Sequence, residues 1–269
     1  MAKVKGVNLM TGTIGGITMY TMKGHDGVIA RAKGGPSKSK IKRSASCAMV
    51  RLNNAEWVGC TKMGSAVRTA CYTGKRLADY NTSGPMNALM KQIQKLDESA
   101  ALGSRGIYLS KYKAVISGFN FNKYHPFDSV MKVAPHWALD RQAMKATVTI
   151  PAFSGVVSLN NFTKLPLFRL AASLGVVPDM KGYNAKWVDY SPVGCSNGFW
   201  LRESTTEWTS AKASFSEQVL ELDLSEYASQ LTDHDTLILC VGIEFASLGP
   251  TGQPMQEKYA GCGKVLEVG

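Results

Sequence analysis

The chain has 269 residues, of which 45% are hydrophobic and 19% are charged, and its 31 Lys and Arg outnumber its 20 Asp and Glu by 11. This composition suits one large domain or two modest ones and excludes an intrinsically disordered chain. The longest apolar runs, such as residues 237–243, are too short to span a bilayer, and the first residues lack the apolar stretch of a signal peptide. We therefore expect a cytoplasmic protein without a membrane span.

The positive charge is concentrated in the first 113 residues, which carry 19 Lys and Arg against 5 Asp and Glu. The rest of the chain carries 12 against 15 and is close to neutral. A basic region joined to a nearly neutral one indicates a surface that meets an acidic partner.

Residues 3–33 are predicted to form paired strands, as a small hairpin or meander. Residues with high β propensity alternate there with turn signals at Gly15-Gly16 and at residues 24–27, where Asp and Gly tolerate the positive φ of tight turns. An isolated hairpin is only marginally stable in water. We therefore expect this one to pack on the rest of the chain or on a neighbouring molecule.

A loop rich in Gly, Pro and Ser is predicted next, from Lys33 to Arg43. It holds five cations, which form the candidate site for an acidic partner: Lys33, Lys38, Lys40, Lys42 and Arg43. Two interpretations stay open, a solvated connecting loop and a loop that contacts phosphate or nucleic acid. The interpretation as a phosphate-contacting loop is favoured by glycine, which exposes backbone N–H groups, and by the cations, which supply positive charge. The loop is not a Walker A loop, because GxxxxGK[ST] does not occur.

Two helices are predicted to follow the basic loop. Ser44 or Ser46 can cap a helix that runs to about Tyr80, because small and apolar residues recur there at spacings of three and four. Residues 83–85 (Ser-Gly-Pro) begin a shorter amphipathic helix that ends near Ser99.

From residue 107 onward the apolar period changes to two, which predicts short strands separated by prolines. The candidate strands are residues 107–121, 145–159, 164–174, 198–202, 218–223, 236–246 and 256–268, with a short helical crossover over residues 224–231. The predicted fold class is α+β. A hairpin-plus-helices module (residues 1–106) is followed by an immunoglobulin-like antiparallel β-sandwich (residues 107–269).

The histidine and cysteine patterns predict neither a metal site nor a nucleophile. No His has a second His two or four residues away. His234 lies between Asp233 and Asp235, which would raise its pKa or form an anionic cation site. The six Cys show no CxxC spacing, so a zinc ribbon is not indicated, and without an export signal reduced thiols are expected.

One carboxylate pair has aromatic residues close to it in the sequence. Glu203 and Glu207 lie four residues apart, near Trp200 and Trp208, an arrangement that can indicate sugar hydrolysis or a carbohydrate-binding surface. A Ser/Thr-rich loop between strands explains the pair without any chemistry. We therefore expect no enzymatic activity and no cofactor.

A distinctive segment lies near the N-terminus. It contains KGVNLMTGTIGG, the loop KGG and the helix segment RLNNAEWVG, in which Arg51, Asn53, Glu56 and Trp57 fit the pattern R-x-N-x-x-E-[FW]. Mainly over residues 5–70, the chain resembles a group of uncharacterised basic proteins of Bacteroidota. The resemblance implies an opening hairpin, a helix and a C-terminal β-sandwich, but no catalytic residue.

These observations favour a non-enzymatic structural or assembly protein of a phage-like or other multimeric bacterial structure. It would associate with itself or with another subunit through its basic N-terminal region. The alternative is a nucleic-acid-binding protein that uses the Lys33–Arg43 loop, and a carbohydrate-binding sandwich is a third possibility.

Overall fold

A computed structural model describes residues 2–4, 10–22, 26–32, 34–183, 189–194 and 200–269. Its contacts divide the chain into two compact units, Met1–Leu52 and Asn53–Gly269, which we call the N-terminal unit and the C-terminal unit. This division differs from the predicted one between residues 106 and 107. No helix in the described ranges is long and apolar enough to cross a membrane.

The N-terminal unit contains a four-stranded antiparallel sheet, which confirms the predicted strand pairing. Its strands are β1 (Ala2–Val4), β2 (Gly12–Ile14), β3 (Ile17–Tyr20) and β4 (Val28–Ala32), in the order β1-β4-β3-β2. Gly15 has a φ of 57° in the tight turn between β2 and β3, a conformation that glycine adopts without steric cost. The predicted turn at residues 24–27 includes Gly24 and His25, which lie outside the described residues.

The predicted basic loop is in part a helix, which corrects the loop assignment. Helix α1 spans Lys38–Arg43, and Ser37 caps it by accepting a hydrogen bond from the Lys40 backbone N–H at 3.2 Å. Three of its basic residues, Lys40, Lys42 and Arg43, lie in the last turn, where positive charge is favoured by the helix dipole. A single 3₁₀ turn (Ala45–Cys47) then leads into helix α2 (Ala48–Ala70).

The long helix predicted to reach Tyr80 ends earlier, at Ala70, and a separate helix α3 spans Tyr72–Leu77. Helix α4 spans Ser83–Lys95 and begins at the predicted residue. Two single-turn helices, α5 (Phe127–Val130) and α6 (Gly155–Ser158), come later. Helix α3 lies directly on the sheet: a Cβ added to Gly263 would be 2.8 Å from the Cα of Gly74.

The predicted strand over residues 107–121 is wrong. The segment forms 3₁₀ turns at Leu109–Lys111 and Lys113–Val115, and four of its apolar side chains, Ile107, Leu109, Ile116 and Phe121, are fully buried. Backbone groups here bond to the main sheet or to side chains; the Ser110 N–H, for example, donates to Asp179 at 3.0 Å. The apolar residues of this segment are therefore buried by a loop that packs on the core, and not by a strand.

The remaining strands form two main antiparallel sheets, and their bounds are as follows: β5 (His136–Asp140), β6 (Lys145–Ile150), β7 (Phe153–Ser154), β8 (Leu167–Tyr183), β9 (Asp189–Val193), β10 (Leu201–Thr205), β11 (Thr209–Ser210), β12 (Ser214–Phe215), β13 (Gln218–Asp223), β14 (Asp235–Leu248) and β15 (Pro254–Val268). The large sheet has the order β10-β8-β14-β15, with β9 and β11 also paired to β8, and the small sheet has the order β13-β6-β5. Strands β7 and β12 form a separate pair.

Most predicted strands in this region are confirmed, with β13 matching its range residue for residue. The ranges 236–246 and 256–268 fall on β14 and β15, and 164–174 overlaps the much longer β8. The predicted strand over residues 145–159 is replaced by three elements: β6, the short β7 and α6. Strand β5 was not predicted. The range 198–202 overlaps β10, with residues 198 and 199 outside the described part, and the crossover is a 3₁₀ helix at Ser225–Gln230.

The large sheet of the C-terminal unit is buried on both faces. Side chains of β14 alternate, so that Leu237 and Val241 pack into one core with the small sheet, while Ile238 and Cys240 pack into another with α2 and α4. A strand buried on both faces has a continuous apolar sequence, as residues 236–246 do. The α+β class and the sandwich-like antiparallel sheets are confirmed, whereas an immunoglobulin-like topology is not.

Candidate functional site

Four of the five predicted anion-binding residues lie on helix α1. Lys38, Lys40, Lys42 and Arg43 belong to α1, which has no buried residue, whereas Lys33 is outside the described part of the chain. The guanidinium of Arg51 donates to the carbonyl oxygens of Ile41 at 2.9 Å and Ser44 at 2.7 Å. The arginine of the R-x-N-x-x-E-[FW] segment thereby stabilises the C-terminal end of α1.

The four cations of α1 have no carboxylate partner among the described residues. Residues 1–52 carry ten Lys and Arg against one Asp, a net charge of +9, which leaves +2 of the total +11 for the C-terminal unit. In the described part of that unit, eight Lys and Arg pair with carboxylates: Lys62, Arg76, Lys91, Arg105, Lys145, Arg169, Arg202 and Lys264. Helix α1 therefore presents four uncompensated charges within six residues.

The glutamate of the same sequence segment is buried in the C-terminal unit. Glu56 is fully inaccessible, and its carboxylate accepts from Arg105 Nε at 2.6 Å and Nη2 at 2.7 Å, from the Gly103 N–H at 2.9 Å and from Lys91. Burial by itself would raise the pKa of Glu56. The hydrogen bonds from Arg105, Lys91 and Gly103 outweigh it and lower that pKa from 4.5 to about 2.

The cluster around Glu56 is closed and leaves no group placed for chemistry. The Gln94 amide donates to the Tyr190 hydroxyl at 3.0 Å and to the Arg105 carbonyl at 3.1 Å, and the Cys60 thiol donates to the Gln94 oxygen at 3.3 Å. Burial raises the pKa of Cys60 to about 11, so this thiol is not an activated nucleophile. The cluster holds the loop after α4 against α2 and β9.

A second buried carboxylate, Glu244, lies in the middle of β14. Arg76 donates to both of its oxygens, at 2.7 and 2.9 Å, and Arg169 and Gln256 donate to it as well, at 2.8 and 2.6 Å. Burial opposes ionisation, but the two arginines outweigh it and lower the pKa of Glu244. The planar fork between Arg76 and Glu244 is the strongest arrangement available to such a pair.

The candidate carboxylate pair of a sugar site is not formed as a catalytic pair. Glu203 lies on β10 and accepts from Arg76 and from the Thr73 hydroxyl, each at 3.0 Å, so it belongs to the Glu244 cluster. Trp208 is covered by the Arg169 guanidinium at 4.6 Å, and Trp200 stacks on Tyr227 with ring centroids 4.7 Å apart. Each indole already packs against a side chain of its own chain.

His234 lies beside Asp179, with its Nδ1 3.3 Å from the carboxylate. The Ser110 hydroxyl donates to Asp179 at 2.6 Å and not to the histidine, so the three groups do not form a nucleophile–base relay. Asp235, a proposed half of the cation site, accepts from the Thr232 N–H and hydroxyl. Across the described ranges no three His, Cys, Asp or Glu side chains form a group that could hold a metal ion.

Five cysteines are free and buried, namely Cys47, Cys60, Cys71, Cys240 and Cys262, while Cys195 falls in a part of the chain that is not described.

Comparison with protein-family models, with curated proteins and with solved structures finds no match to this chain.

The buried carboxylates were missed at the level of sequence, although a signal was present. Glu56 lies four residues before Cys60 and seven before Met63, on the apolar face of α2. Glu244 is the single charged residue of the apolar run in β14. A charged residue at a core position indicates a buried ion pair, but its partners, Arg105 and Arg76, are distant in sequence or on another element.

Proposed function

We propose that the chain is a non-enzymatic structural protein that assembles with a partner through its basic N-terminal unit. The partner is another copy of the chain or a different subunit of a multimeric structure, such as a phage-like bacterial particle. The resemblance of residues 5–70 to uncharacterised basic proteins of Bacteroidota agrees with this proposal but supplies no activity.

The observation that carries the proposal is the small core of the N-terminal unit. Among its side chains that the structure describes, only Val28, Ile29 and Cys47 are buried. Six large apolar side chains of the unit are exposed: Met10, Ile14, Ile17, Met22, Met49 and Val50. A small unit with so few buried residues gains little from hydrophobic burial, so a partner that covers these side chains would stabilise it.

The sheet of the N-terminal unit offers both an apolar pair and an edge for such a partner. Ile14 and Ile17 are directly opposite each other across the β2–β3 hairpin, and they are 61% and 48% exposed. Strand β2 pairs with β3 on one side, and the sheet order places no described strand on its other side. A neighbouring chain could add a strand at this edge through backbone hydrogen bonds.

The oligomeric state of the full chain tests the proposal. We expect size-exclusion chromatography with light scattering to give a mass that is a multiple of 29.1 kDa. The double variant Ile14→Asp/Ile17→Asp should lower that mass, since it places charge in the apolar contact. The matched control is Leu248→Asp/Met255→Asp, which changes two side chains of the β14–β15 hairpin that are 56% and 50% exposed. A strictly monomeric wild type at high concentration, with no partner recovered, contradicts the proposal.

The second candidate function is nucleic-acid binding through Lys33, Lys38, Lys40, Lys42 and Arg43. The uncompensated charge of α1 favours it, because each neutralised phosphate releases a counterion. Four phosphate contacts would make log K fall by about 3.6 per unit of log salt on duplex DNA.

The test measures duplex and single-strand affinity at low and moderate salt. Changing Lys38, Lys40, Lys42 and Arg43 to Ser should abolish most of the binding and its salt dependence. A control with Lys75, Lys95, Lys181 and Lys258 changed to Ser removes the same charge at exposed positions that form no ion pair with a carboxylate among the described residues. Equal losses in the two variants, or no binding at low salt, would exclude α1 as the nucleic-acid site.

A further inference from the structure

The C-terminal unit contains an open cavity of about 730 Å³ beside helix α6. Its walls are mostly apolar: Val156 and Leu159 come from the α6 region, and Leu165 and Pro166 come from the segment before β8. A cavity of this size falls in the range of small-molecule binding sites, which are largely apolar and carry a few polar groups.

Among the described residues that line the cavity, two carry a charge: Lys164, from the segment before β8, and Lys212, from the segment after β11. Both residues are exposed, and neither forms an ion pair with a carboxylate among the residues that the structure describes. The cavity therefore combines apolar walls with two positive charges that no acidic side chain of the lining offsets.

The backbone around Lys164 is fixed in an unfavourable conformation. Lys164 has a backbone φ of 57°, a conformation that residues other than glycine rarely adopt. The Lys164 N–H donates to the Asn161 carbonyl at 3.2 Å, and the Asn161 amide donates to the Leu165 carbonyl at 2.7 Å. These bonds hold a lysine at the cavity wall where glycine would be favoured by the backbone alone.

We propose that this cavity binds a small amphipathic anion, an aliphatic chain that ends in a single carboxylate. The apolar walls would remove the aliphatic chain from water, and the two ammonium groups would meet the carboxylate. A polyanion would find too few cations here, and a neutral apolar ligand would leave the lysines unused. The proposal concerns a surface of the C-terminal unit and is independent of assembly through the N-terminal unit.

Isothermal titration of the full chain with octanoate tests the proposal, with octan-1-ol as the uncharged probe. We expect octanoate to bind at least about fivefold more tightly than octan-1-ol, and to lose this advantage at high salt. Changing Lys164 to Gly and Lys212 to Ser should weaken octanoate by about three- to tenfold and leave octan-1-ol unchanged. The variant Lys95→Ser/Lys181→Ser removes the same net charge elsewhere and should bind octanoate like the wild type.

Two adjacent valines with nearly the same exposure provide a matched control. Val156 lines the cavity and is 69% exposed, whereas Val157 is 68% exposed and does not line it. Val156→Asp should weaken octanoate binding at least about tenfold, and Val157→Asp by less than about twofold. Equal effects of the two substitutions, equal affinity for the two probes, or no heat at millimolar octanoate would overturn the proposal.

Discussion

Replacing Glu56 by glutamine removes the negative charge of a fully buried carboxylate while keeping its size. Arg105 and Lys91 then face an amide, so two cations lose the partner that compensated their partial burial. The pKa of Glu56 is lowered from 4.5 to about 2 in the folded chain, and a tenfold change in an acid dissociation constant corresponds to about 1.4 kcal/mol. We therefore expect Glu56→Gln to lower the free energy of unfolding at pH 7 by about 3 kcal/mol.

The pH dependence of this loss follows from the lowered pKa of Glu56. A carboxylate with a depressed pKa stabilises the fold fully above its unfolded pKa, here 4.5, and the contribution disappears as the pH falls towards about 2. The difference between wild type and variant should thus be constant from pH 7 to pH 5 and shrink steadily below that.

Urea unfolding at pH 7, 5, 4 and 3, followed by fluorescence and circular dichroism, measures the difference. Glu226→Gln is the matched control, because the pair between Arg202 and Glu226 is about half exposed at both ends. We expect that control to lose less than about 1 kcal/mol. A loss below about 1 kcal/mol for Glu56→Gln at pH 7, or a difference that does not shrink below pH 4.5, would refute the reasoning.

Three further predictions concern the C-terminal core. Glu244→Gln should lower the free energy of unfolding by about 3–5 kcal/mol in urea, because it breaks a buried pair; a loss no larger than that of an exposed pair contradicts this. Gly74→Ala should lower it by about 1–3 kcal/mol, because the added Cβ meets the ring of Phe121, whereas Gly34→Ala has open space and should change little. Cys60 should resist alkylation at pH 8 in the folded chain and react in urea, as measured by peptide mass spectrometry; rapid labelling of the folded chain would show that the thiol is accessible.

The sequence predicted those elements whose signal is local. Strand β13 has a regular two-residue alternation that matches one buried and one open face, and Ser83 begins α4 as its Ser-Gly-Pro signal indicates. Residues 107–121 show a similar alternation, yet their apolar side chains are buried by a loop that bonds to Asp179 and to β15. An apolar pattern of this kind indicates that some side chains of the segment are buried, but it does not show whether the backbone pairs with a strand.

The candidate site was predictable only as a concentration of charge. The cations of α1 are visible in the sequence, but the helix that carries them depends on one hydrogen bond at Ser37 and on contacts from Arg51. The packing of α2 and α4 on the large sheet depends on residues more than 100 positions apart, such as Cys60 and Cys240. No local pattern encodes contacts over that distance, so the sequence alone places the boundary at residue 106, where the periodicity changes.

Strand β14 has a consequence for mutational tolerance. Its first twelve residues, 235–246, are all buried. The odd-numbered residues from 237 to 245 pack into one core, and Ile238 and Cys240 pack into the other. An amphipathic strand tolerates substitution at every second position, whereas these twelve residues include no exposed position. In a library of single substitutions, residues 235–246 should form the longest unbroken run of positions at which changes destabilise the fold. Thr13 and Ile14 of β2 are exposed and should accept most changes without loss of stability, whereas Gly12, with a φ of 134°, should not.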